Sequence, residues 1–391
     1  MQYLEKNIMK KLAIIFLSCL LFTNCSLNKE KTCYLTGKVI DRNSKVLILK
    51  KQTEDSEIRD IEIQIDSAGN FGYELKPAFM EAYELIFKDE LERGLWKPIL
   101  FFPDNDTIKF TLYPMKMADS NKVVGSKLSL KENLLIQKIK EKYYDSYIFW
   151  SQKKDSLEAI NETNSDYYEV VSSKIDSIYK EGALFELQYA GNEANVYGYS
   201  KFISILRTEK DRRKRLLPID TLKKYHNLFL KRFPNHPYNL ISQYRINGLI
   251  NIKVGGNYVD FTAPDSTGKN ITLSKYISKN KLTLIDLWAP WCRPCIQKSK
   301  KIVPIFEEFK DSGFGVIGVV GGISKKEQFI HAIRKYKYPW PILSEISNKN
   351  DIWEKYSISK SGGSQFLVDN KGIILAINPE PYELREYILN K

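Results

Sequence analysis

Cysteine is scarce in this chain: five in 391 residues, two of them within the first 25. That excludes a scaffold stapled by several disulfides. Histidine is scarcer still, with three. His226 and His236 have no cysteine or carboxylate at ligand spacing, so no metal site is expected there. The apolar run Leu12 to Phe22 is too short for a comfortable membrane span. No nucleic-acid motif accompanies the net charge of +13, and no nucleic-acid partner is expected. The densest basic run, Lys210, Arg212, Arg213, Lys214 and Arg215, is broken by Asp211 and reads as a solvated helix face, the alternative being a contact for a partner or an anionic membrane surface. What remains is globular in character: 43% hydrophobic and 13% aromatic residues. The length calls for two or three domains.

The first segment sets the compartment. Lys10 and Lys11 precede the apolar run, Thr23-Asn24-Cys25 follows it, and Met9 reads as the natural start. A basic stretch before an apolar one of this length is a signal peptide, residues 1–25. A cysteine just after the apolar run resembles a bacterial lipoprotein cleavage site, with Asn24 where Gly or Ala is usual. The resemblance implies that Cys25 becomes the lipidated first residue of the mature chain. A lipid-anchored protein of the cell envelope, facing the periplasm, is then expected, where disulfide chemistry is possible.

Residues 26–114 alternate short apolar stretches with turn residues. Leu35–Ile40, Val46–Leu49, Ile61–Ile65, Phe71–Leu75, Tyr83–Phe87, Ile99–Phe102 and Ile108–Leu112 read as strands, with a tight turn at Asp66-Ser67-Ala68-Gly69-Asn70. They predict a small β-sandwich or barrel-like domain in which Cys33 is a buried strand residue. Residues 115–250 change to helical spacing at Lys131–Tyr144, Tyr167–Tyr179 and Thr221–Phe233, punctuated by Pro218, Pro234 and Pro237. This is a helical spacer region, open to self-association into a homo-oligomer.

From Val254-Gly255-Gly256 onward, over residues 251–391, an α/β pattern follows. Phe261-Thr262-Ala263-Pro264 leads through the turn Asp265–Gly268 to Ile271–Leu273 and a helix start at Ser274. Leu282 to Trp288 is apolar except for Asp286, the signature of a central buried strand. It runs into Trp288-Ala289-Pro290-Trp291-Cys292-Arg293-Pro294-Cys295, with Ile302, Phe306 and Phe309 at helical spacing beyond. A Cys-x-x-Cys at a helix start has a physical purpose. Backbone N–H groups and the dipole at the helix N-terminus stabilise an anion, which lowers the first thiol from its ordinary pKa of ~8.5. Cys292 is therefore expected to be the accessible, reactive thiol and Cys295 the shielded one. The two-residue spacing lets the second thiol close the disulfide, and Pro294 fits the first turn, where a missing N–H costs nothing. A zinc site or a merely structural disulfide could also use such a pair. No second pair exists in the chain and no histidine lies nearby.

At these residues the chain resembles the thioredoxin superfamily, in its membrane-anchored TlpA- and ResA-like branch. The likeness covers about residues 251–391 and implies a thioredoxin fold there. The fold's further parts would be a helix at Lys326–Tyr336, the segment Tyr338–Leu343, a helix at Trp353–Tyr356, a hairpin at Phe366–Ile374 and a last helix near Glu383–Leu389. It implies Cys292 as attacking thiolate, Cys295 as resolving thiol, and Asp286 as the buried acid that takes the proton of Cys295. Trp291, Arg293, Pro294, Gly362 and Gly363 would meet substrate, with no cofactor. Residues 26–114 resemble the β-rich domain that precedes thioredoxin-like domains in many Gram-negative envelope lipoproteins.

The sequence departs from that branch in three places. Lys298 and Lys300 stand where a glutamate and a proline are common, and Gly363 stands where the superfamily keeps a cis-proline facing the disulfide. The lysines favour thiolate over thiol. The two glycines predict a trans bond and a freely moving loop. An oxidoreductase reducing protein disulfides, fed by a membrane thiol–disulfide electron donor, is the leading expectation. A non-catalytic binding or scaffold lipoprotein, and a thiol peroxidase lacking the usual Thr-x-x-Cys pattern, are the alternatives.

Overall fold

The computed structural model describes residues 32–41, 43–54, 61–211, 216–358 and 362–390. The signal segment with Cys25 lies outside the described residues, as do the side chains of the basic run 210–215.

Eight strands build the N-terminal part: β1 (Cys33–Val39), β2 (Val46–Lys51), β3 (Ile61–Gln64), β4 (Asn70–Leu75), β5 (Tyr83–Phe87), β6 (Ile99–Phe101), β7 (Thr107–Leu112) and β8 (Lys122–Val124). They form two four-stranded sheets, ordered β4-β1-β7-β8 and β3-β2-β5-β6. Alternating residues such as Leu35, Leu47, Leu85, Phe101 and Phe110 fill one shared core, as expected when each strand buries one face. The Asp66 turn forms as the sequence predicts, with Asp66 accepting the N–H groups of Ala68 and Asn70. Cys33 is fully buried in β1. β8 extends the first sheet into the segment that reads as helical spacer.

The middle region is a stack of helices after the short α1 (Lys88–Glu92): α2 (Lys127–Ala159), α3 (Asp166–Asn192), α4 (Val196–Asp211), α5 (Ile219–Arg232) and α6 (Tyr238–Asn251). Ser126 and Ser165 cap α2 and α3 by accepting N–H groups of Ser129 and Tyr168. α6 escapes a periodicity reading because it is contacted on several sides. Tyr238, Ile246 and Leu249 are buried in the helical core. The Tyr238 hydroxyl accepts the Ala82 N–H of the β-sandwich at 2.9 Å.

The C-terminal part comprises β9 (Thr262–Pro264), β10 (Asn270–Thr272), α7 (Leu273–Ile277), β11 (Leu282–Trp288), α8 (Arg293–Phe309), β12 (Phe314–Ile323), α9 (Lys326–Tyr336), β13 (Ile342–Ile346), α10 (Ile352–Lys355), β14 (Ser364–Asp369), β15 (Ile374–Ile377) and α11 (Pro381–Leu389). The sheet order is β13-β12-β11-β14-β15, parallel from β11 through β13 and antiparallel at β14 and β15. Every residue of β11 is buried, because apolar cores cover both faces of the sheet. Arg245 on α6 ties the helical region to this part. Its guanidinium donates two 2.9 Å hydrogen bonds to Glu354 and one of 2.7 Å to the Ile203 carbonyl. Among the described residues no helix is long and apolar enough to cross a membrane.

Candidate active site

The central strand β11 delivers Asp286 into the interior, 2% exposed. Its neighbours in register are Gly318 on β12 and Gln365 on β14. Gln365 Nε2 donates to one carboxylate oxygen at 3.0 Å and Ser299 Oγ donates to the other at 2.6 Å. Burial disfavours the charged form and pushes Asp286 up to about 6, against the two hydrogen bonds that favour the carboxylate. The acid is therefore a buried core group, and it can change protonation near neutral pH.

β11 ends at Trp288, which meets the stacked rings of Tyr336 and Tyr338 edge-on, with centroids 5.4 Å away in each case. The chain then turns into α8. Cys292 is the N-cap of that helix, and its sulfur accepts the Cys295 N–H at 3.3 Å. Pro294 occupies the first turn, which carries no acid. The two cysteines form a disulfide, with Cα atoms 5.3 Å apart. On reduction, a thiolate at Cys292 would face this N–H and the positive end of α8. Ser299 Oγ, one turn after Cys295, also lies 3.1 Å from the Cys295 carbonyl, so its single proton is shared between the acid and helix α8.

The expected contrast in exposure is reversed in the disulfide form. Cys292 is buried, 6% exposed, while Cys295 is partly exposed. The sulfurs face the backbone of Gly362: a Cβ there would stand 3.2 Å from Cys292 Sγ and 3.5 Å from Cys295 Sγ.

The expectation of a freely moving glycine loop also needs correction. The Gly362–Gly363 bond is trans, as predicted. The Gly362 carbonyl accepts the Trp353 indole N–H at 3.1 Å, and the Gly363 N–H donates to Cys295 Sγ at 3.2 Å. A Cβ on Gly363 would overlap the Leu287 carbonyl. Glycine is required here by the close approach of β11, and the loop is tied on both sides.

Trp291, Cys292, Arg293, Pro294, Cys295, Asp286, Gly362 and Gly363 all line one cleft of about 470 Å³, together with Lys298, Gln365 and Asn378. The structure thus brings together every sequence-predicted site residue except Cys25. Trp291 is 41% exposed at the rim, its indole N–H donating to the Gly322 carbonyl at 3.2 Å. Lys298 lies 3.9 Å from Glu380. Among the described residues no cluster of His, Cys, Asp or Glu is arranged to hold a metal. Sequence reasoning missed Ser299, Gln365 and Trp353. Ser299 was findable, four residues after Cys295 on one helix face. Gln365 and Trp353 reach the site through strand register and loop path.

Residues 254–377 match the AhpC/TSA family. The thiol:disulfide interchange protein DsbE of Allochromatium vinosum is 30% identical over 117 residues, covering 29% of this chain and 60% of that protein. The chloroplastic peroxiredoxin Q of Suaeda salsa is 24% identical over 152 residues, covering 37% of this chain and 68% of that one. Among solved structures, the C-terminal domain of a thiol-disulfide oxidoreductase from Bacteroides thetaiotaomicron is 26% identical, covers 35% of this chain and 95% of its own, and has a TM-score of 0.32. The family match lies over the strand, the cysteine pair and the hairpin described above, so the C-terminal third of the chain is similar to AhpC/TSA proteins and to thiol–disulfide interchange proteins such as DsbE.

Proposed function

We propose that this protein is an envelope-anchored thiol–disulfide oxidoreductase that reduces protein disulfides through Cys292 and Cys295. The carrying observation is Cys292 as N-cap of α8, its sulfur accepting the Cys295 N–H, with the paired sulfurs opening into a cleft. In the reducing direction the Cys292 thiolate attacks a substrate disulfide and one substrate sulfur leaves as thiolate. Cys295 then attacks Cys292, closing the disulfide and releasing the second sulfur. Asp286, buried and pushed up to about 6, accepts the Cys295 proton. A membrane thiol–disulfide partner would return two electrons by the same kind of thiol:disulfide interchange that names the DsbE relative. Anchoring would be through a lipid on Cys25.

Extended substrates dock on thioredoxins beside the residue that here is Gly363. In this chain the carbonyl and N–H of that peptide unit are already engaged. Activity on a generic substrate such as insulin is therefore low, while exchange with small thiols persists. The test is equilibration of the full chain with glutathione buffers, alongside insulin reduction and peroxide consumption. Stoichiometric oxidation by glutathione disulfide without peroxide turnover supports the reading. Catalytic consumption of hydrogen peroxide would favour the peroxidase alternative, to which the AhpC/TSA match and the peroxiredoxin relative point. A pair inert to both would leave a scaffold.

A further inference from the structure

We propose that Trp353 is a positioning residue for the redox pair: it orients the Gly362–Gly363 peptide so that a backbone N–H is aimed at the Cys295 sulfur. This rests on Cys292 and Cys295 being the working redox centre. Trp353 lies in α10 and is 6% exposed, its ring pressed against Gly321 of β12, where a Cβ would collide with it. Its indole N–H donates to the Gly362 carbonyl at 3.1 Å. In a trans peptide the carbonyl and the next N–H point in opposite directions within one plane. Holding the Gly362 carbonyl on the Trp353 side therefore turns the Gly363 N–H to the other side, where it donates to Cys295 Sγ at 3.2 Å. A proline at 363 could not do this, having no N–H.

The anchor of Trp353 is itself built in. Glu345 on β13, fully buried, accepts the N–H groups of Asn350 and Ile352 at 3.1 and 3.2 Å and the Asn350 amide at 2.7 Å. It thereby fixes the start of α10. The chain of contacts runs from a buried acid through one turn of helix to an indole, a peptide plane and a sulfur.

The chemical consequence follows from the charge on that sulfur. A disulfide sulfur is a weak acceptor and a thiolate a strong one, and hydrogen bonds to charged groups are about twice as strong as neutral ones. The Gly363 N–H therefore stabilises the reduced pair more than the oxidised pair. It also keeps Cys295 as thiolate for the resolving step. There the Cys295–Cys292 bond forms, the bond from Cys292 to substrate sulfur breaks, and the electron pair leaves on the substrate thiolate. The charged groups sharing the cleft are Asp286, Arg293 and Lys298.

The test uses the full chain carrying Trp353→Phe and, separately, Trp353→benzothienylalanine, which keeps the indole shape without its N–H. Each is equilibrated with glutathione buffers and scored by alkylation of free thiols. Both replacements are expected to raise the equilibrium constant for oxidation about tenfold, a fall in potential of about 30 mV. In a Cys292→Ser background they should move the pH midpoint of Cys295 alkylation up by about one unit. If Trp353→Phe fails to fold, the isostere decides. An isostere with the wild-type equilibrium constant and alkylation profile overturns the proposal. A wild-type pair that does not exchange with glutathione overturns the redox reading, and this inference with it.

Discussion

Replacing Asp286 by Asn should stabilise the protein, and the gain should depend on pH in a calculable way. The folded pKa is raised from the ordinary 3.8 to about 6 by burial. The native state therefore binds the proton more tightly than the unfolded chain. Wild-type stability is then fullest below the unfolded value and is lost as pH rises through the folded one. The interval corresponds to about 3 kcal/mol lost at pH 7 and above, about half of that near pH 5, and little at pH 4. Asparagine removes the charge and can keep the hydrogen bonds. Gln365 Nε2 still finds an oxygen, and Ser299 can accept from the new amide while donating to the Cys295 carbonyl. Urea unfolding of the oxidised wild-type and Asp286→Asn chains from pH 4 to pH 8 measures the difference directly. Turnover should fall about tenfold or more, because the proton acceptor is gone. A variant no more stable than wild type at pH 7.5, or a gain that does not change with pH, would refute the stability reasoning. Unchanged turnover between pH 6 and 8 would remove Asp286 from the mechanism.

Three further outcomes are expected. Cys295→Ser should accumulate mixed disulfides with client proteins and Cys292→Ser few, as resolved on non-reducing gels; the opposite pattern would exchange the two roles. Gly363→Pro should lower thermal stability by the equivalent of about 3 kcal/mol and give no gain in insulin reduction. A side chain at 363 meets the Leu287 carbonyl, and the N–H to Cys295 is lost. Wild-type melting with raised insulin turnover would show that β11 accommodates the ring. Arg245→Met should cost about 2–4 kcal/mol by leaving the largely buried Glu354 carboxylate without its guanidinium. Protease sensitivity should rise between the helical region and the C-terminal part, and an unchanged digestion pattern would count against that link.

Much of this molecule was legible because it depends on short-range rules. The period-two runs from Leu35 to Leu112 became strands of a sandwich, since each must bury one face. The unbroken apolar run Leu282–Trp288 became the central strand, since only a strand covered on both faces tolerates it. A Cys-x-x-Cys after such a strand, with Pro294 in the first turn, placed the cysteine pair at a helix start. The single acid in the run placed Asp286 in the interior.

What the tertiary structure alone decided lies across long sequence separations. Gln365 meets Asp286 because β14 pairs antiparallel to β11 in one register, and a slip of one residue would turn it to the other face. The relative exposure of Cys292 and Cys295 depends on a loop some 70 residues away along the chain. That loop was expected to move freely, because two glycines have the widest conformational choice. Trp353 and Cys295 instead hold opposite ends of one of its peptide units. Local sequence sets how many conformations a backbone could take; only the packed partners around it select the one it keeps.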